Sequence, residues 1–200
     1  MVSFWINILS TEVTDICKSA SLAIRNIGKI RNYLDQPIAE KLVHAAFVTS
    51  KIDFCNSLLY GLSKKQLDKL QHILNAAARI NKKSQNFQHI SSVLLNLHWL
   101  PVTKRIEFKI LTITHKALNG MALSYFCDLP QVHHPNRNLR SASRSLSLVV
   151  PIHQTQAYDA RSFSVAALTL WNSLSVLTLK ARKLSVSLKE SSKHFLFNQF

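Results

Sequence analysis

The chain has 200 residues, 47% of them hydrophobic, and a formal net charge of +15 that comes from 25 Lys and Arg against 10 Asp and Glu. A chain of this length and apolar content can bury one core, or one core and a small second lobe, which excludes disorder throughout. The excess of positive charge indicates an anionic partner, with nucleic acid as the leading candidate, because uncompensated like charges repel one another until phosphates or counterions neutralise them.

The N-terminal part is predicted to form two paired helices behind a short apolar leader. The leader, residues 1–12, opens with MVSFWINIL, which has no preceding positive charge and is too short for a span, so we expect no signal peptide and no membrane span. Apolar side chains then recur every three or four positions and predict an amphipathic helix over residues 13–34. Asp35 is the predicted N-cap of a second helix, with Pro37 in its first turn. The predicted buried face of this helix consists of Ile38, Leu42, Val43, Ala46 and Phe47.

A longer helix is predicted after Gly61. Ser63 and Gln66 have the spacing of a capping box, in which the side chains of the first residue and of the residue three positions later bind each other's backbone N–H groups. Apolar residues then recur at the spacing of one helix face, which we expect to be buried. This face consists of Leu67, Leu70, Leu74 and Ala77.

The predicted helices in the middle of the chain are separated by a tryptophan-containing corner. A polar loop near residues 82–88 precedes a short helix over residues 92–97, which runs into the sequence HWLP at residues 98–101. A long helix follows over residues 102–119. Gly120 is expected to end it, because glycine readily adopts the left-handed conformation that commonly follows a helix C-terminus.

The C-terminal third of the chain changes in composition. Residues 130–151 contain two His, three Arg, four Ser and two Asn between prolines, with one short extended run at residues 145–150. We interpret residues 130–151 as an exposed basic linker. Further helices are predicted over residues 158–174 and 184–197.

The predicted fold class is therefore mainly α. We expect a helical domain over residues 13–129, then the linker, then a small helical C-terminal extension over residues 152–200. This expectation is based on the long segments with the apolar spacing of helices. Alternation of apolar and polar residues would instead indicate strands.

Positive charge is concentrated in the middle of the chain. Residues 61–120 carry ten basic and two acidic side chains, a net charge of +8, against +1 for residues 1–60 and +6 for residues 121–200. On both long helices the basic residues recur every three or four positions opposite the apolar face, as expected of a strip that contacts phosphates. Ordinary solvated helix faces also carry lysines, and this is the alternative interpretation. The predicted nucleic-acid-binding residues are Lys64, Lys65, Lys69, Arg79, Lys82, Lys83, Arg105 and Lys109.

The aromatic and sulfur side chains are predicted to have structural roles. Trp99 and Trp171 each have leucines two or three positions away, so we expect core anchors rather than exposed platforms on which bases stack. The sequence IDFCNSLL around Cys55 supplies neither a base nor an orienting partner for a nucleophile, which favours a buried, structural thiol.

The spacing of cysteine and histidine predicts no metal site. Cys17, Cys55 and Cys127 lie 38 and 72 residues apart, which fits neither a disulfide framework nor a close-spaced zinc site. The adjacent His133 and His134 would point apart on an extended chain. We therefore expect a reducing intracellular compartment, the cytoplasm or the nucleus, and we predict no cofactor.

The acidic residues are too scattered for nucleotide transfer. That reaction uses two divalent ions about 3.5–4 Å apart, which clustered carboxylates must hold. The ten acids of this chain include no adjacent pair. We therefore predict no polymerase activity, no catalytic residue and no metal ligand.

Three stretches of the sequence occur in the order in which a known family carries them. They are TSKIDFCNSLLYGLSKKQLDKLQHILNAAARI at residues 49–80, LHWLPVTKRIEFKILTITHKALNG at residues 97–120 and RSFSVAALTLWNSL at residues 161–174. In this order they resemble the C-terminal region of the reverse transcriptase of jockey-like, LINE-type (non-LTR) retrotransposons, which follows the polymerase palm. The resemblance implies a helical thumb that grips the primer–template duplex, over residues 34–80 and 97–120, and a trailing extension.

The chain departs from this family at both ends. Before Val13 the family has the end of the palm sheet, whereas this chain has the apolar leader, so the reading frame is expected to begin downstream of the catalytic core. Around the sequence LWNSL, Leu168 and Ser175 stand where prolines are common in the family, as expected of a decayed copy. The resemblance thus implies a non-catalytic fragment that binds the backbone of RNA, DNA or their hybrid without sequence specificity.

Two other functions fit the sequence, besides a decayed gene copy with none. A protein-interaction fragment would self-associate or bind a partner through apolar helix faces that once packed on the palm. Attachment to an anionic membrane surface would require apolar residues beside the basic strips. The candidate residues for protein interaction are Val13, Ile16, Leu42 and Phe47.

Overall fold

The described part of the chain is mainly α-helical, as predicted. A computed structural model describes residues 2–83, 89–131, 147–152 and 161–174. Within these residues there is no β-strand, and seven α-helices are joined by turns of 3₁₀ and π-helix.

The N-terminal helices are longer and less regular than the sequence predicted. Helix α1 comprises Val2–Ile30 and passes into a 3₁₀ turn, Arg31–Tyr33. Helix α2 comprises Gln36–Val43 and continues directly as a π-helical segment, His44–Ile52. A second 3₁₀ turn, Asn56–Leu59, leads to the next helix.

Five further helices complete the described chain. Helix α3 comprises Lys64–Lys82, and α4 comprises Ile90–Asn96. Helix α5, Val102–Leu118, is followed by a single turn, α6, at Ser124–Cys127. Helix α7 comprises Phe163–Ser173. The predicted start of α3 and both predicted ends of α5 lie within one residue of these bounds.

Two predictions about the first helices were wrong. The leader over residues 1–12 is not a separate element, because α1 begins at Val2 and no glycine or proline precedes Gly28 to interrupt it. On α2, which follows Asp35 as predicted, the buried residues are Ala39 and Val43, whereas Ile38 is 54% exposed. Ile38 precedes Ala39 by one position, which on a helix is a rotation of about 100° away from the core.

The described chain forms two compact units that divide within α5. Unit 1 is Met1–Arg105 and unit 2 is Ile106–Phe200. This division lies earlier than the predicted boundary between residues 129 and 130. The reason is that Leu111, on the second half of α5, packs with residues of the C-terminal part, which include Leu148.

Helix α3 is the central element of unit 1, where it contacts α1, α2, α4 and the π-helical segment. Because the apolar side chains of α3, among them Leu70 and Leu74, are buried among these neighbours, α3 is held in a single rotation about its own axis. The most deeply buried side chains of unit 1 come from α1, α2, α3 and the π-helical segment and include Val13, Ala20, Val43, Val48, Ile52, Leu70, Leu74 and Ala78.

Arg31 joins the end of α1 to the end of α3. Its side chain is buried, and its Nε donates a hydrogen bond to the carbonyl oxygen of Ile80 at 3.0 Å. Its Nη1 donates to Leu34 O at 3.0 Å, and its Nη2 donates to Asn81 O at 2.6 Å and to the side-chain oxygen of Gln36. The last carbonyls of a helix lack helical partners and carry partial negative charge, so this cation stabilises the end of α3.

The tryptophan-containing corner is built as the sequence predicted. Trp99 is buried, with 3% of its surface exposed, and its backbone N–H donates to Leu94 O at 2.9 Å. His98 turns the chain in the left-handed region, with φ of +53°. The N–H of Val102, the first residue of α5, donates to Oε1 of Gln71 on α3 at 2.9 Å. The corner therefore fixes the first turn of α5 against α3 within unit 1.

Unit 2 has its own buried cluster around the second tryptophan. Leu111 of α5, Leu148, and Leu168 and Trp171 of α7 form it. The predicted anchor role of Trp171 is confirmed, since only 7% of its surface is exposed. Asn172 holds the segment in place, because its Oδ1 accepts the Leu148 N–H at 2.9 Å and its Nδ2 donates to the Leu148 carbonyl oxygen at 2.8 Å.

This cluster corrects one end of the predicted linker. Residues 130–151 were expected to be exposed, but Leu148 is 2% exposed. The Val149 N–H also donates to Gln131 O at 2.9 Å, which ties the two ends of the segment together. The rest of the predicted linker, residues 132–146, and the predicted helix over residues 184–197 lie outside the described residues.

Candidate nucleic-acid interface

Helix α3 turns a basic face towards solvent. On its inner face Leu70, Leu74 and Ala77 are buried as predicted, while Leu67 is half-buried. Because burial of this face fixes the rotation of the helix, the opposite side chains point outwards together. The exposed predicted binding residues of α3 and its C-cap are Lys64, Lys65, Lys69, Lys82 and Lys83.

Little negative charge compensates this face. Helix α3 carries five basic side chains and one acidic side chain, Asp68. Within the described residues, none of its exposed lysines pairs with a carboxylate. Lysines that are solvated and unpaired are available to displace counterions from a phosphate backbone, which is the step that drives such binding.

Neither end of α3 is capped in the most common way. Ser63 occupies the N-cap as predicted, but the capping box is not formed, because its side chain makes no bond to the helix backbone. Its hydroxyl donates instead to Oε1 of Gln66 at 3.3 Å. At the other end Lys83, with φ of +50°, takes the left-handed position that glycine usually occupies.

Arg79 is less available than the lysines around it. Its side chain is half-buried, and its Nε is enclosed without a hydrogen-bond partner among the described residues. Part of its guanidinium group therefore faces the protein rather than solvent. We keep Arg79 as a peripheral member of the surface.

Arg105 is not part of a free basic strip, which corrects its predicted role. Its Nη1 donates to both carboxylate oxygens of Asp53, each at 2.9 Å, and its Nε donates to Leu100 O at 2.8 Å. The Arg105 side chain is 11% exposed and that of Asp53 is 33% exposed. A guanidinium that is already neutralised and enclosed is a structural link between the π-helical segment and the start of α5.

Lys109 lies one turn after Arg105 on α5 and is exposed. No ion pair of Lys109 occurs within the described ranges. It belongs to unit 2, whereas the lysines of α3 belong to unit 1. We therefore treat it as a separate candidate contact rather than as a member of the α3 face.

The pKa of the Cys17 thiol is affected by a lysine of α3. Cys17 is half-buried on α1, and burial raises its pKa above the ordinary value, while the positive charge of Lys69 lowers it. Cys17 lies on α1 and Lys69 on α3, two helices that contact each other. This places one lysine of the basic face beside α1.

Two predictions about aromatic and sulfur side chains have opposite outcomes. Trp99 and Trp171 are buried, so neither is exposed for stacking on a base. Cys55 was predicted to be buried and this was wrong, since it is exposed and has φ of +51°. It occupies the turn before Asn56–Leu59, where the chain reverses and the side chain is directed away from the core.

Sequence reasoning missed two basic residues of α1, Arg25 and Lys29. Both are exposed on the described helix. They did not stand out because residues 1–60 are nearly neutral overall, with six basic and five acidic side chains. The signal that could have found them is the helical spacing of the pair, combined with knowledge of which helix packs beside α1.

Other ligand types have little support in the described part of the chain. No three His, Cys, Asp or Glu side chains come together there in a way that could hold a metal ion. Likewise, none of the described helices combines the length and the apolar character needed to cross a membrane.

Comparison of the chain with protein-family models, with curated proteins and with solved structures finds no match.

Proposed function

We propose that this chain is a non-catalytic fragment of a non-LTR retrotransposon reverse transcriptase, which binds the phosphate backbone of RNA, DNA or their hybrid through α3. The observation that carries the proposal is the face of exposed lysines on α3, which has one acidic residue and no carboxylate partner among the described residues. The resemblance of residues 49–80 to the family's thumb supports the same helix as the contact.

The contact is expected to be electrostatic and independent of sequence. Lysine side chains on one helix face act as point charges towards phosphates, whereas base readout requires side chains that reach base edges in a groove. Neither α3 nor the described side chains of α1 include a Phe, Tyr or Trp that could stack on an unpaired base. A duplex, whose bases are already stacked, therefore fits this surface better than a single strand.

The experiment measures binding of a short labelled RNA–DNA hybrid by fluorescence anisotropy between about 50 and 200 mM salt. We expect log affinity to fall linearly with log salt, because binding releases counterions. The variant Lys65→Gln/Lys69→Gln removes two phosphate contacts and should reduce the steepness of this line by about 1.8. Binding that is absent at low salt, or that does not respond to salt, would overturn the proposal.

A matched control separates the α3 face from net charge. Lys41 on α2 and Lys116 on α5 are exposed and lie outside the face. The variant Lys41→Gln/Lys116→Gln lowers the net charge by the same amount and should keep the wild-type salt dependence. An equal loss in both variants would mean that the whole charge of the chain, not α3, attracts the nucleic acid.

The non-catalytic part of the proposal has a separate test. Purified chain is incubated with primer, template, nucleotides and Mg²⁺, and extension of the primer is followed on a gel. We expect no extension, since the sequence has no pair of adjacent acids. Extension that disappears when one acidic residue is replaced would contradict this part of the proposal alone.

Self-association is the second candidate function, and one surface favours it. Phe54 and Leu58 are 72% and 63% exposed and lie four residues apart in the turn before α3. Large apolar side chains that are left exposed are candidates for contact with another protein surface. Light scattering over a range of concentrations tests this: dimers that Phe54→Ser/Leu58→Ser abolishes would support it, and a monomer at every concentration would oppose it.

The residues first predicted for that role do not form the surface. Val13 is fully buried in unit 1, and Ile16 and Leu42 are half-buried. They pack within the same unit because α1 and α2 contact α3 and the π-helical segment there. The side chain of Phe47 lies outside those that the structure describes.

A further inference from the structure

We infer that α1 supplies a second row of positive charge, Arg25 and Lys29, to the same surface as α3. The nucleic acid would then contact two neighbouring helices of unit 1 and not one. This inference rests on the proposed function and extends it to residues that the sequence did not indicate.

Helices α1 and α3 run in the same direction, side by side. Near the middle of α1, Cys17 is close enough to Lys69 for the lysine charge to act on its thiol. Near its end, a Cβ placed on Gly28 would lie 3.6 Å from Cδ1 of Ile80. Both pairs are 52 residues apart in the sequence, and a constant separation at two levels is what parallel helices produce.

The exposed basic residues of α1 lie beyond the edge that contacts α3. On α1, Cys17 and Gly28 are half-buried and lie at the border of the buried face. Two residues that are four positions apart on an α-helix differ in direction by about 40°. Ser21, Arg25 and Lys29 follow Cys17 at such steps, so each lies closer than the one before to the exposed side of α1. Arg25 is thus on the side of α1 that borders this edge, and Lys29 points farther outwards, opposite the buried face.

The exposed residues next to the contact on α3 lie on the same side of the helix pair α1–α3. Lys69 and Ile80 lie at its edge against α1, and Lys65, Ala76 and Lys83 are their exposed neighbours at steps of three or four residues. Since the edge of α1 contacts the edge of α3, the exposed faces that border these edges adjoin. With the same separation of 52 residues, Arg25 is level with Ala77, next to the exposed Ala76. Lys29 is level with Asn81, next to Lys82 and Lys83.

The charges of this second row are available to a ligand. Arg25 and Lys29 are exposed and pair with no carboxylate in the described ranges. Lys18 is left out of the row, because it forms an ion pair with Asp15 at 3.2 Å. The acids of α1, Glu12 and Asp15, lie towards its other end, so the C-terminal halves of α1 and α3 form the more positive end of the surface.

Two rows neutralise a phosphate backbone more completely than one. Axes of packed helices lie about 8–10 Å apart, so long basic side chains from both helices can reach a backbone that lies over the seam between them. The small exposed side chains of Ser21 and Ala76 border this seam and leave room for the approach. Each added phosphate contact increases the steepness of the salt dependence.

The test compares three variants in the same anisotropy experiment with the RNA–DNA hybrid. Arg25→Gln/Lys29→Gln removes the α1 row, Lys65→Gln/Lys69→Gln removes part of the α3 row, and Lys41→Gln/Lys116→Gln is the control of equal charge. We expect the first two variants each to reduce the steepness of the salt dependence by about 1.8 and the control to leave it unchanged. Circular dichroism checks that all three retain wild-type helix content.

Failure of this inference is distinguishable from failure of the proposed function. If the α3 variant loses affinity and the α1 variant binds as wild type does, the second row is wrong while binding through α3 stands. If the wild-type chain does not bind, both are wrong. A loss in the α1 variant alone would overturn the shared surface.

A conservative variant of Arg25 distinguishes the effect of its charge from the effect of its side-chain shape. Arg25→Lys keeps the positive charge and changes the geometry of the donor, so affinity and salt dependence should remain those of the wild type if phosphates are contacted. A loss in Arg25→Lys equal to that in Arg25→Gln would contradict a purely electrostatic contact of this row.

Discussion

Helices α3 and α5 carry the same pattern of basic residues in the sequence, but the structure uses them differently. On α3 the lysines face solvent and lack carboxylate partners among the described residues. On α5 the first basic residue of the pattern, Arg105, is held by Asp53, while Lys109, one turn later, is exposed. Within the described residues, identical spacing can therefore produce an exposed, unpaired basic face on one helix and an internal ion pair on another.

The difference comes from what each helix packs against. Asp53 is 52 residues before Arg105 in the sequence, and the π-helical segment brings it to the start of α5. Nothing in the local sequence of α5 indicates this acid. Positive charge on a helix becomes evidence for an anionic ligand only when its neighbours in three dimensions are known to lack acids.

The largest expected effect concerns the link on α5. Arg105→Gln breaks the ion pair and leaves the partly buried Asp53 without its partner, so the free energy of unfolding should fall by about 1–3 kcal/mol. Urea denaturation followed by circular dichroism measures it. Affinity of the folded protein for the hybrid should not change, and a large loss of affinity with normal stability would return Arg105 to the binding surface.

The neighbouring residue on the same helix should behave in the opposite way. Lys109→Gln removes an exposed charge, so stability should stay within about 0.5 kcal/mol of the wild type. If Lys109 contacts a phosphate as the sequence predicted, the salt dependence of binding becomes less steep by about 0.9. An unchanged salt dependence would remove Lys109, and with it α5, from the interface.

A smaller effect tests the position of Lys69 beside α1. Lys69 lowers the pKa of Cys17, so Lys69→Gln should raise that pKa, reduce the thiolate fraction at mildly alkaline pH and slow alkylation by iodoacetamide. The measurement uses Cys55→Ser/Cys127→Ser, in which only Cys17 reacts, with Lys41→Gln as control. The same rate in all variants would show that Lys69 does not face Cys17.

The smallest expected effect concerns the start of α3. A serine N-cap that binds the helix backbone contributes about 1 kcal/mol. Because the Ser63 hydroxyl donates to Gln66 and makes no such bond, Ser63→Ala should lower the free energy of unfolding by only a few tenths of a kcal/mol. A loss of about 1 kcal/mol or more would show that the capping box forms in solution.

The features that local sequence determines were predicted well. The leucine face of α3 and the glycine that follows α5 are both observed, with Gly120 at φ of +67°. Trp99 and Trp171 are core residues as expected, since a large aromatic side chain among leucines is rarely left in solvent. In each case the prediction depends on residues within about one or two helical turns.

The features that depend on distant residues were not predictable. Leu148 is buried because α7 and the second half of α5 enclose it, although its own segment is rich in serine and arginine. Cys55 is exposed because the chain turns there in a left-handed conformation that its apolar neighbours do not indicate. The role of Arg25 and Lys29 depends on which edge of α1 meets α3, which the spacing along α1 alone does not give.

Lysine protection on the wild-type protein tests the central claim most directly, because it examines α3 and α5 in the same sample. The protein is acylated at low reagent concentration with and without the RNA–DNA hybrid, and each lysine is quantified by mass spectrometry. We expect protection of Lys65, Lys69, Lys82 and Lys83 and no protection of Lys41. Equal acylation of every lysine in the two samples, or protection confined to α5, would contradict an interface on α3.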